Sequence, residues 1–285
     1  MEQFHDDQHL WLRSRVHGTY LHADDDGEGV SLRRSRRSLN AVWAVHIYHG
    51  GDGHYLLLHS AAYGRYLAAT TTPAPLGHRA VQRNYDQQGV GAIMWLAVGA
   101  VRAGLGNDIL LRNVSGGCGR YLRANGRYLI WNNGVSVDQF DNASTMRHWL
   151  VEPIPPRLGM PDLPGPVRAR LPGDLSVVLL GRAVAAWHLI RFVQANNDGY
   201  YTEEGWSTLP FRGRSVYHLR NELASRVGVH IFDLIMCVRA GRYGRLTPLV
   251  VDLPRDRYYH TIEIVVIMTA SPAAHELQHP DVNAE

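Results

Sequence analysis

The first half of the chain repeats one short pattern of apolar and polar residues three times. A tetrapeptide of the form Gly-x-Tyr-Leu recurs with spacings of 46 and 55 residues, at 18–21, 64–67 and 119–122. A tryptophan inside an apolar run follows each copy, with spacings of 52 and 54 residues, at Trp43, Trp95 and Trp149. Two independent markers therefore share one period of about 50 residues, which indicates an internal structural repeat.

Each copy has the pattern of four short strands. An apolar run precedes the tetrapeptide, turn residues such as Asn125-Gly126 follow it, and the tryptophan strand closes the unit. Units of this size cannot bury their apolar faces singly, but three around a pseudo-threefold axis can, as in a β-trefoil. A propeller, which normally needs at least four blades, fits less well. The predicted core contains the repeated leucines and tryptophans: Leu21, Trp43, Leu67, Trp95, Leu122 and Trp149.

A proline-rich stretch divides the chain into two domains. Seven prolines lie between Pro153 and Pro172, too many for regular structure. We therefore expect a mainly β protein with four parts: a β-trefoil at 1–154, a linker at 155–172, a second domain at 173–270, and a flexible tail at 271–285.

The pattern beyond the linker predicts a smaller α+β domain. A helix is expected at 215–227, where apolar residues recur at helical spacing between a capping Ser215 and Gly228. Strands are expected at 175–180, 189–193, 235–238, 249–253 and 261–267. Two strands followed by a helix and then further strands resemble a ubiquitin-like β-grasp. Because the sequence does not end in the Gly-Gly of a conjugated modifier, we expect an interaction domain.

Composition adds an expectation about location. Hydrophobic residues make up 45% of the 285 residues, and no apolar run reaches the roughly 20 residues of a membrane span. The N-terminal residues lack the pattern of a secretory signal, and Cys118 and Cys237 lie in different halves. We therefore expect a cytoplasmic protein that does not bind membranes. The sequence leaves its oligomeric state open.

The basic residues suggest one candidate binding surface. A net charge of +3 is too mild to favour nucleic acid as a partner, and all 29 basic residues are arginine, since the chain has no lysine. The densest basic run lies in the loop between the third and fourth strands of the first repeat, at Arg33, Arg34, Arg36 and Arg37. We interpret it as a contact for an acidic protein partner; the alternative is a solvated loop without function.

Two motifs resemble metal-binding sites, but the residues around them do not fit such sites. Residues 275–279, His-Glu-Leu-Gln-His, match the zincin pattern, but Pro272 and Pro280 bracket them and too few residues follow for a third ligand. Residues 24–28 are acidic, but they lack the glycine and glutamate positions of an EF-hand loop, so we interpret them as a hairpin tip. No serine has the setting of a nucleophile. We therefore expect a protein that is not an enzyme and needs no cofactor or metal.

The repeated tetrapeptide also carries a family resemblance. Residues 64–69, Gly-Arg-Tyr-Leu-Ala-Ala, repeated in weaker form at Gly119 and Gly18, resemble the fascin-type trefoil. With residues 4–6, 12–15, 58–69 and 131–137, the chain resembles a plant family of unknown function that is often labelled actin cross-linking, fascin-like. The resemblance covers residues 4 to about 155 strongly, and the second half resembles the second domain of that family. It implies a β-trefoil, a ubiquitin-like domain and actin as the partner.

A carbohydrate-binding lectin is the alternative function, because many trefoils bind sugars. Ricin-type repeats place glutamine two residues before the core tryptophan. Here those positions hold Ala41, Ile93 and Arg147. The lectin pattern is absent from all three repeats, so the sequence favours a protein-binding module.

Overall fold

The computed structural model describes most of the chain and divides it into two compact units. The described residues are 3–51, 53–86, 89–99, 108–115, 119–126, 134–139, 144–165, 187–255 and 261–284. Unit 1 contains Met1–Met160, Arg239–Thr247 and Gln278–Glu285, and unit 2 contains Pro161–Val238 and Pro248–Leu277. We describe each unit by itself.

The strands of unit 1 fall into three groups of four, one for each sequence repeat. The first repeat contains β1 (His9–Ser14), β2 (Tyr20–Ala23), β3 (Val30–Arg33) and β4 (Val42–Gly50). The second contains β5 (Gly53–Ser60), β6 (Tyr66–Pro73), β7 (His78–Arg83) and β8 (Trp95–Gly99). The third contains β9 (Ile109–Asn113), β10 (Arg120–Ala124), β11 (Val135–Asp138) and β12 (Trp149–Ile154).

Strand pairing closes these repeats into a barrel. In the described part of unit 1, antiparallel pairs run in a ring from β1 to β4, β5, β8, β9, β12 and back to β1. The middle strands of the repeats form the hairpins β2–β3, β6–β7 and β10–β11. The hairpins meet through β7–β11 and through the bridges Gly29–Val81 and Ser31–Gly134. A barrel of six strands capped by three hairpins is a β-trefoil, so the predicted fold is confirmed.

The three repeats share one core contact. In each repeat the tryptophan indole N–H donates a hydrogen bond to the backbone oxygen of the tetrapeptide leucine. The pairs are Trp43 with Leu21 (3.1 Å), Trp95 with Leu67 (2.9 Å) and Trp149 with Leu122 (3.0 Å). All six residues are fully buried. Because the indole N–H has a hydrogen-bond partner inside the core, each tryptophan buries its apolar surface without leaving an unpaired donor.

The tetrapeptide glycine serves the turn before the hairpin. Gly18 and Gly64 have φ angles of 62° and 68°, a left-handed conformation that glycine adopts without a steric penalty. Their amides donate to the backbone oxygens of Ser14 (2.9 Å) and Ser60 (2.7 Å). In the first two repeats this glycine therefore marks a backbone requirement of the fold.

Unit 2 has the topology of a ubiquitin-like β-grasp. Its strands are β13 (Trp187–Gln194), β14 (Ser207–Arg212), β15 (Leu234–Arg239) and β17 (Thr261–Met268), and its helix is α1 (Val216–Val227). A further short strand, β16 (Leu246–Pro248), spans the boundary between the two units in the sequence. The strand order within unit 2 is β14-β13-β17-β15, and β13 and β17 are parallel. The predicted α+β fold is confirmed.

Helix α1 begins and ends where the sequence predicts. The Ser215 hydroxyl accepts a hydrogen bond from the amide of His218, and Gly228 ends the helix with a φ of 77°. The buried side of α1 presents Val216, Leu219 and Leu223 to the core of unit 2.

The strand predictions in unit 2 need two corrections. Strand β14 was missed, because Pro210 and the polar residues around it hide its alternating burial. Residues 249–253 were predicted as a strand, but they form none. Instead the Asp252 carboxylate accepts from the amide of Val216, and Leu253 exchanges hydrogen bonds with Arg214, which ties the segment to the start of α1. The predicted strand at 175–180 lies outside the described residues.

The tail predicted to be flexible is held at several points. Residues 272–275 form a short helix, α2 (Pro272–His275), whose capping Ser271 is buried. In unit 1, Pro280 forms a bridge with Pro156, and the amide of Asp281 donates to Pro155 O at 2.9 Å. These backbone bonds order the tail, which its small and polar residues do not reveal. Residues 157–165, within the predicted linker, contain no helix or strand.

Candidate functional site

The arginine run forms a loop that its own side chains hold in place. The loop, residues 33–37, leaves β3 and precedes a short 3-10 helix, Leu39–Ala41, capped by Ser38. The guanidinium of Arg36 lies 4.5 Å from the ring centre of Trp11, and its Nη1 lies 3.4 Å from Glu152 Oε2. The Trp11 indole N–H donates back to Arg36 O at 3.1 Å. Arg36 therefore anchors the middle of the arginine loop to the barrel.

A second contact fixes the start of the arginine loop. Arg33 Nη2 lies 3.3 Å from Asp24 Oδ1, which also accepts a hydrogen bond from Ser31 Oγ at 2.6 Å. Burial raises the pKa of Asp24, and the bonds from Ser31 and Arg33 oppose that rise. The side chain of Arg33 is thus held by an ion pair within the β2–β3 hairpin.

The two remaining arginines of the loop are available to a partner. Arg34 and Arg37 are exposed, and neither forms an ion pair or hydrogen bond with the part of the chain that the structure describes. An arginine guanidinium can bind a carboxylate or phosphate with two parallel hydrogen bonds. The structure therefore divides the predicted site of Arg33, Arg34, Arg36 and Arg37 into two anchors and two free cations.

A cavity of about 800 Å³ is lined in part by Asp24, the residue that binds Arg33 of the arginine loop. We call it the cap cavity, because its walls come from the hairpins β2–β3, β6–β7 and β10–β11. Its apolar walls are Val30, Pro75, Leu76, Ala80, Val81 and Val135, and its polar groups are Asp24, Asp26, Glu28, Thr70, Thr72 and Arg79. The volume lies in the range of small-molecule sites.

The acidic hairpin tip at this cavity is rigidly folded. Asp26 Oδ1 accepts hydrogen bonds from the amides of Glu28 (2.9 Å) and Gly29 (2.7 Å). A Cβ atom at Gly29 would lie 2.8 Å from the Asp24 carboxylate, so a side chain here would require that carboxylate to shift. The sequence indicated a hairpin tip at 24–28, as observed, but could not reveal the cavity, because its other walls lie 40 to 110 residues away along the chain.

The motifs rejected from the sequence form no site in the described residues. His275 ends the one-turn helix α2, whereas His279 is buried in unit 1 and its pKa is lowered, chiefly by burial. Across the described ranges, no three His, Cys, Asp or Glu side chains gather as metal ligands. Cys237 is buried, which raises the pKa of its thiol to about 12 and keeps it protonated at neutral pH.

The position that a ricin-type lectin gives to glutamine is structural in the third repeat. Arg147 is buried and its Nη2 lies 2.7 Å from Asp138 Oδ1. Ala41 and Ile93, at the same position in the other repeats, are buried apolar residues. In addition, the described lining of the cap cavity contains no aromatic ring on which a sugar could stack.

Comparison with known families agrees with this architecture. The sequence pattern of the beta-trefoil domain of unknown function (DUF569) matches residues 1–152. The chain belongs to this family. A second pattern, the ubiquitin-like domain associated with DUF569, matches residues 187–267. The family match thus covers both units, and the family description assigns no activity.

Several solved structures are similar to about half of this chain at low identity. An SDF2-like protein from Arabidopsis thaliana is 14% identical, with 51% of this chain and 92% of that chain covered and a TM-score of 0.42. A ricin B-like lectin of Macrolepiota procera, solved in complex with lactose, is 19% identical, with 53% and 98% covered and a TM-score of 0.42. The designed threefold-symmetric protein ThreeFoil is 20% identical, with 50% and 97% covered and a TM-score of 0.40. These values support no conclusion about ligands.

No curated protein gives a significant match to this chain. None of the helices in the described ranges is both long and apolar enough to cross a bilayer.

Proposed function

We propose that this protein is a non-catalytic, cytosolic protein-binding module whose trefoil binds an acidic partner through Arg34 and Arg37. The observation that carries the proposal is that two arginines of the arginine loop hold the loop in place and the other two are exposed. Arg33 and Arg36 fix the loop by contacts with Asp24, Glu152 and Trp11, whereas Arg34 and Arg37 remain exposed. A loop that is ordered before binding loses less conformational entropy when the partner docks.

The actin filament is the first partner to test, because its surface is acidic and the family resemblance in the sequence points to it. The trefoil offers one such loop, so cross-linking of filaments would need a second contact or a dimer. Binding through exposed arginines should weaken as salt increases, since exposed charges are screened within about 8 Å at physiological ionic strength.

Co-sedimentation with filaments at low and physiological salt tests the proposal. The variant R34S/R37S should raise Kd roughly five- to thirtyfold, because each exposed charge pair contributes about 0.5–1 kcal/mol. The matched control is R157S/R242S, which removes two other exposed arginines that form no ion pair in the described residues.

The outcomes separate the partner from the surface. If the wild type stays in the supernatant at both salt concentrations, actin is not the partner. If the wild type pellets and R34S/R37S pellets equally, the assigned surface is wrong. Binding above background on a glycan array would favour the lectin alternative instead.

A further inference from the structure

The cap cavity has no role in the proposed contact with an acidic partner, because its own charge is negative. Three carboxylates line it, from Asp24, Asp26 and Glu28, against the single guanidinium of Arg79 in the described lining. The chain as a whole carries a net charge of +3. The cavity is therefore an acidic site on a basic protein, and it attracts ligands of the opposite sign to those of the arginine loop.

Two of the carboxylates have oxygens without a partner. Asp26 uses Oδ1 for the amides of Glu28 and Gly29, and no hydrogen bond reaches its Oδ2 from the described residues. The exposed Glu28 carboxylate has no hydrogen bond or ion pair in the same ranges. Asp24, in contrast, is already bound by Ser31 and Arg33. The unmet charge thus lies on Asp26 and Glu28.

The cavity walls favour an aliphatic ligand. The side chains of Val30, Leu76, Val81 and Val135 are all aliphatic, and the described lining offers no aromatic face for a sugar, a nucleobase or a quaternary ammonium group. The hydroxyls of Thr70 and Thr72 add neutral hydrogen-bonding groups at the rim. A chain of methylene groups bearing cationic donors matches both parts of this surface.

The site is also fixed before any ligand arrives. The two amide bonds to Asp26 hold the acidic tip, and a side chain at Gly77 would meet Val137 O at 2.5 Å, which places the β6–β7 turn tightly against β11. The backbone of the acidic tip and the carboxylate of Asp26 are therefore held in place before binding, which lowers the ordering cost.

We propose that the cap cavity binds a linear aliphatic polyamine, with its ammonium groups on Asp26 and Glu28 and its methylene chain on the valine-rich wall. A volume of about 800 Å³ exceeds that of a single lysine side chain, and two separate unpaired carboxylates suit a ligand with several ammonium groups. This site is independent of the partner proposed for Arg34 and Arg37.

Calorimetric titration of the full chain with spermidine, at neutral pH and about 150 mM NaCl to screen exposed charges, tests the proposal. The variant D26N/E28Q keeps the Oδ1 acceptor at residue 26 and should weaken binding at least about tenfold. The variant T72W blocks the rim at an exposed position without a change of charge and should also weaken binding. The control D162N/E276Q removes two exposed carboxylates elsewhere and should leave Kd within about twofold.

Several results would overturn the assignment. One is that spermidine does not bind at millimolar concentration, and another is that D26N/E28Q binds it as tightly as the wild type. Binding by T72W as tight as that of the wild type would also overturn it, since it would mean that spermidine is attracted to surface charge alone. Displacement of spermidine by Mg²⁺ at matched ionic strength would likewise show that the methylene chain of the ligand does not contribute to binding. If Nα-acetyl-lysine amide binds as tightly as spermidine, the cavity takes a lysine side chain and not a polyamine. The variant R34S/R37S should bind spermidine normally, which separates this test from that of the acidic partner.

Discussion

The first and third repeats have the same strand register but different buried polar residues at equivalent positions. Tyr20 faces Arg33 across the first hairpin, and Tyr121 faces Asp138 across the third, so strand register makes these positions equivalent. Two residues after each tyrosine stand His22 in the first repeat and Arg123 in the third. Both are buried, but His22 is kept neutral, because burial and the charge of Arg33 lower its pKa to about 4.

The third repeat instead buries a charged triad. Asp138 Oδ2 lies 2.8 Å from Arg123 Nη1, and Asp138 Oδ1 lies 2.7 Å from Arg147 Nη2. The second repeat has Ala68 and Ile93 at the two arginine positions. The tryptophan-leucine contact is common to all three repeats, so it specifies the fold. The surrounding buried positions differ: they hold a neutral histidine in the first repeat, apolar residues in the second and an ionic triad in the third.

The largest expected effect tests what the repeats share. Each of Trp43, Trp95 and Trp149 changed to alanine should lower the free energy of unfolding by about 3–5 kcal/mol, because each leaves a large cavity and an unpaired leucine carbonyl. Urea denaturation of the three variants measures this. A variant with nearly wild-type stability would show that the repeats are not equivalent at the core.

The next effect tests what is particular to the third repeat. Asp138→Ala should cost about 3 kcal/mol, because it leaves the buried Arg123 and Arg147 without their counter-charge. Replacement of the whole triad by R123A/D138V/R147I should cost much less than the single change, since no buried charge is then left alone. A cost for the triple variant above that for Asp138→Ala would show that the triad itself stabilises the fold.

His22 should contribute to the acid response of the first repeat, together with His9 and His46, whose pKa burial likewise lowers to about 4. The folded pKa of His22, about 4, is below the usual value of 6.5, so the unfolded chain binds more protons between these pH values, and stability is lost as pH falls from 6.5 to 4. The full loss from this group is about 3 kcal/mol. His22→Ala, which copies Ala68 of the second repeat, should make this part of the stability-pH curve, measured by urea denaturation, less steep. An unchanged curve would show that His22 does not contribute to the acid response.

The smallest effects separate neighbouring arginines of the loop. Arg36→Ser should lower stability by about 1 kcal/mol, because it removes the contacts with Trp11 and Glu152. Arg37→Ser should change it by less than about 0.5 kcal/mol. Thermal melts of the two variants measure the difference. Equal effects would contradict the division of the loop into anchors and free cations.

Sequence reasoning succeeds where one local signal is repeated. The Gly-x-Tyr-Leu and tryptophan markers predict the trefoil because each repeat supplies the same evidence, and the spacing of Val216, Leu219 and Leu223 predicts α1 in the same way. It fails at β14, where Pro210 interrupts a short edge strand, and at residues 249–253, where apolar residues are buried in a segment that bonds to the start of α1.

The candidate sites were harder to predict because distant residues make them. The basic run identified the arginine loop, but the sequence does not indicate that Arg36 reaches Glu152, which lies 116 residues later, or that Arg33 is held by Asp24. The sequence predicts only a hairpin tip for the acidic residues 24–28, since they do not match a calcium loop. Their partners in the cap cavity come from strands of all three repeats.

The pairing of β1 with β12 also governs how the chain can fold. His9 lies opposite Ile154, so the barrel closes only through a contact between residues about 145 positions apart. At a synthesis rate of about 5–20 residues per second, β1 waits roughly 7–30 s on the ribosome before its partner exists. During that interval the hydrogen-bonding edge of β1 that β12 will occupy is unpaired and the apolar residues of the barrel lack their final partners. Nascent chains that stop before residue 149 should therefore be the species that chaperones bind and that aggregate.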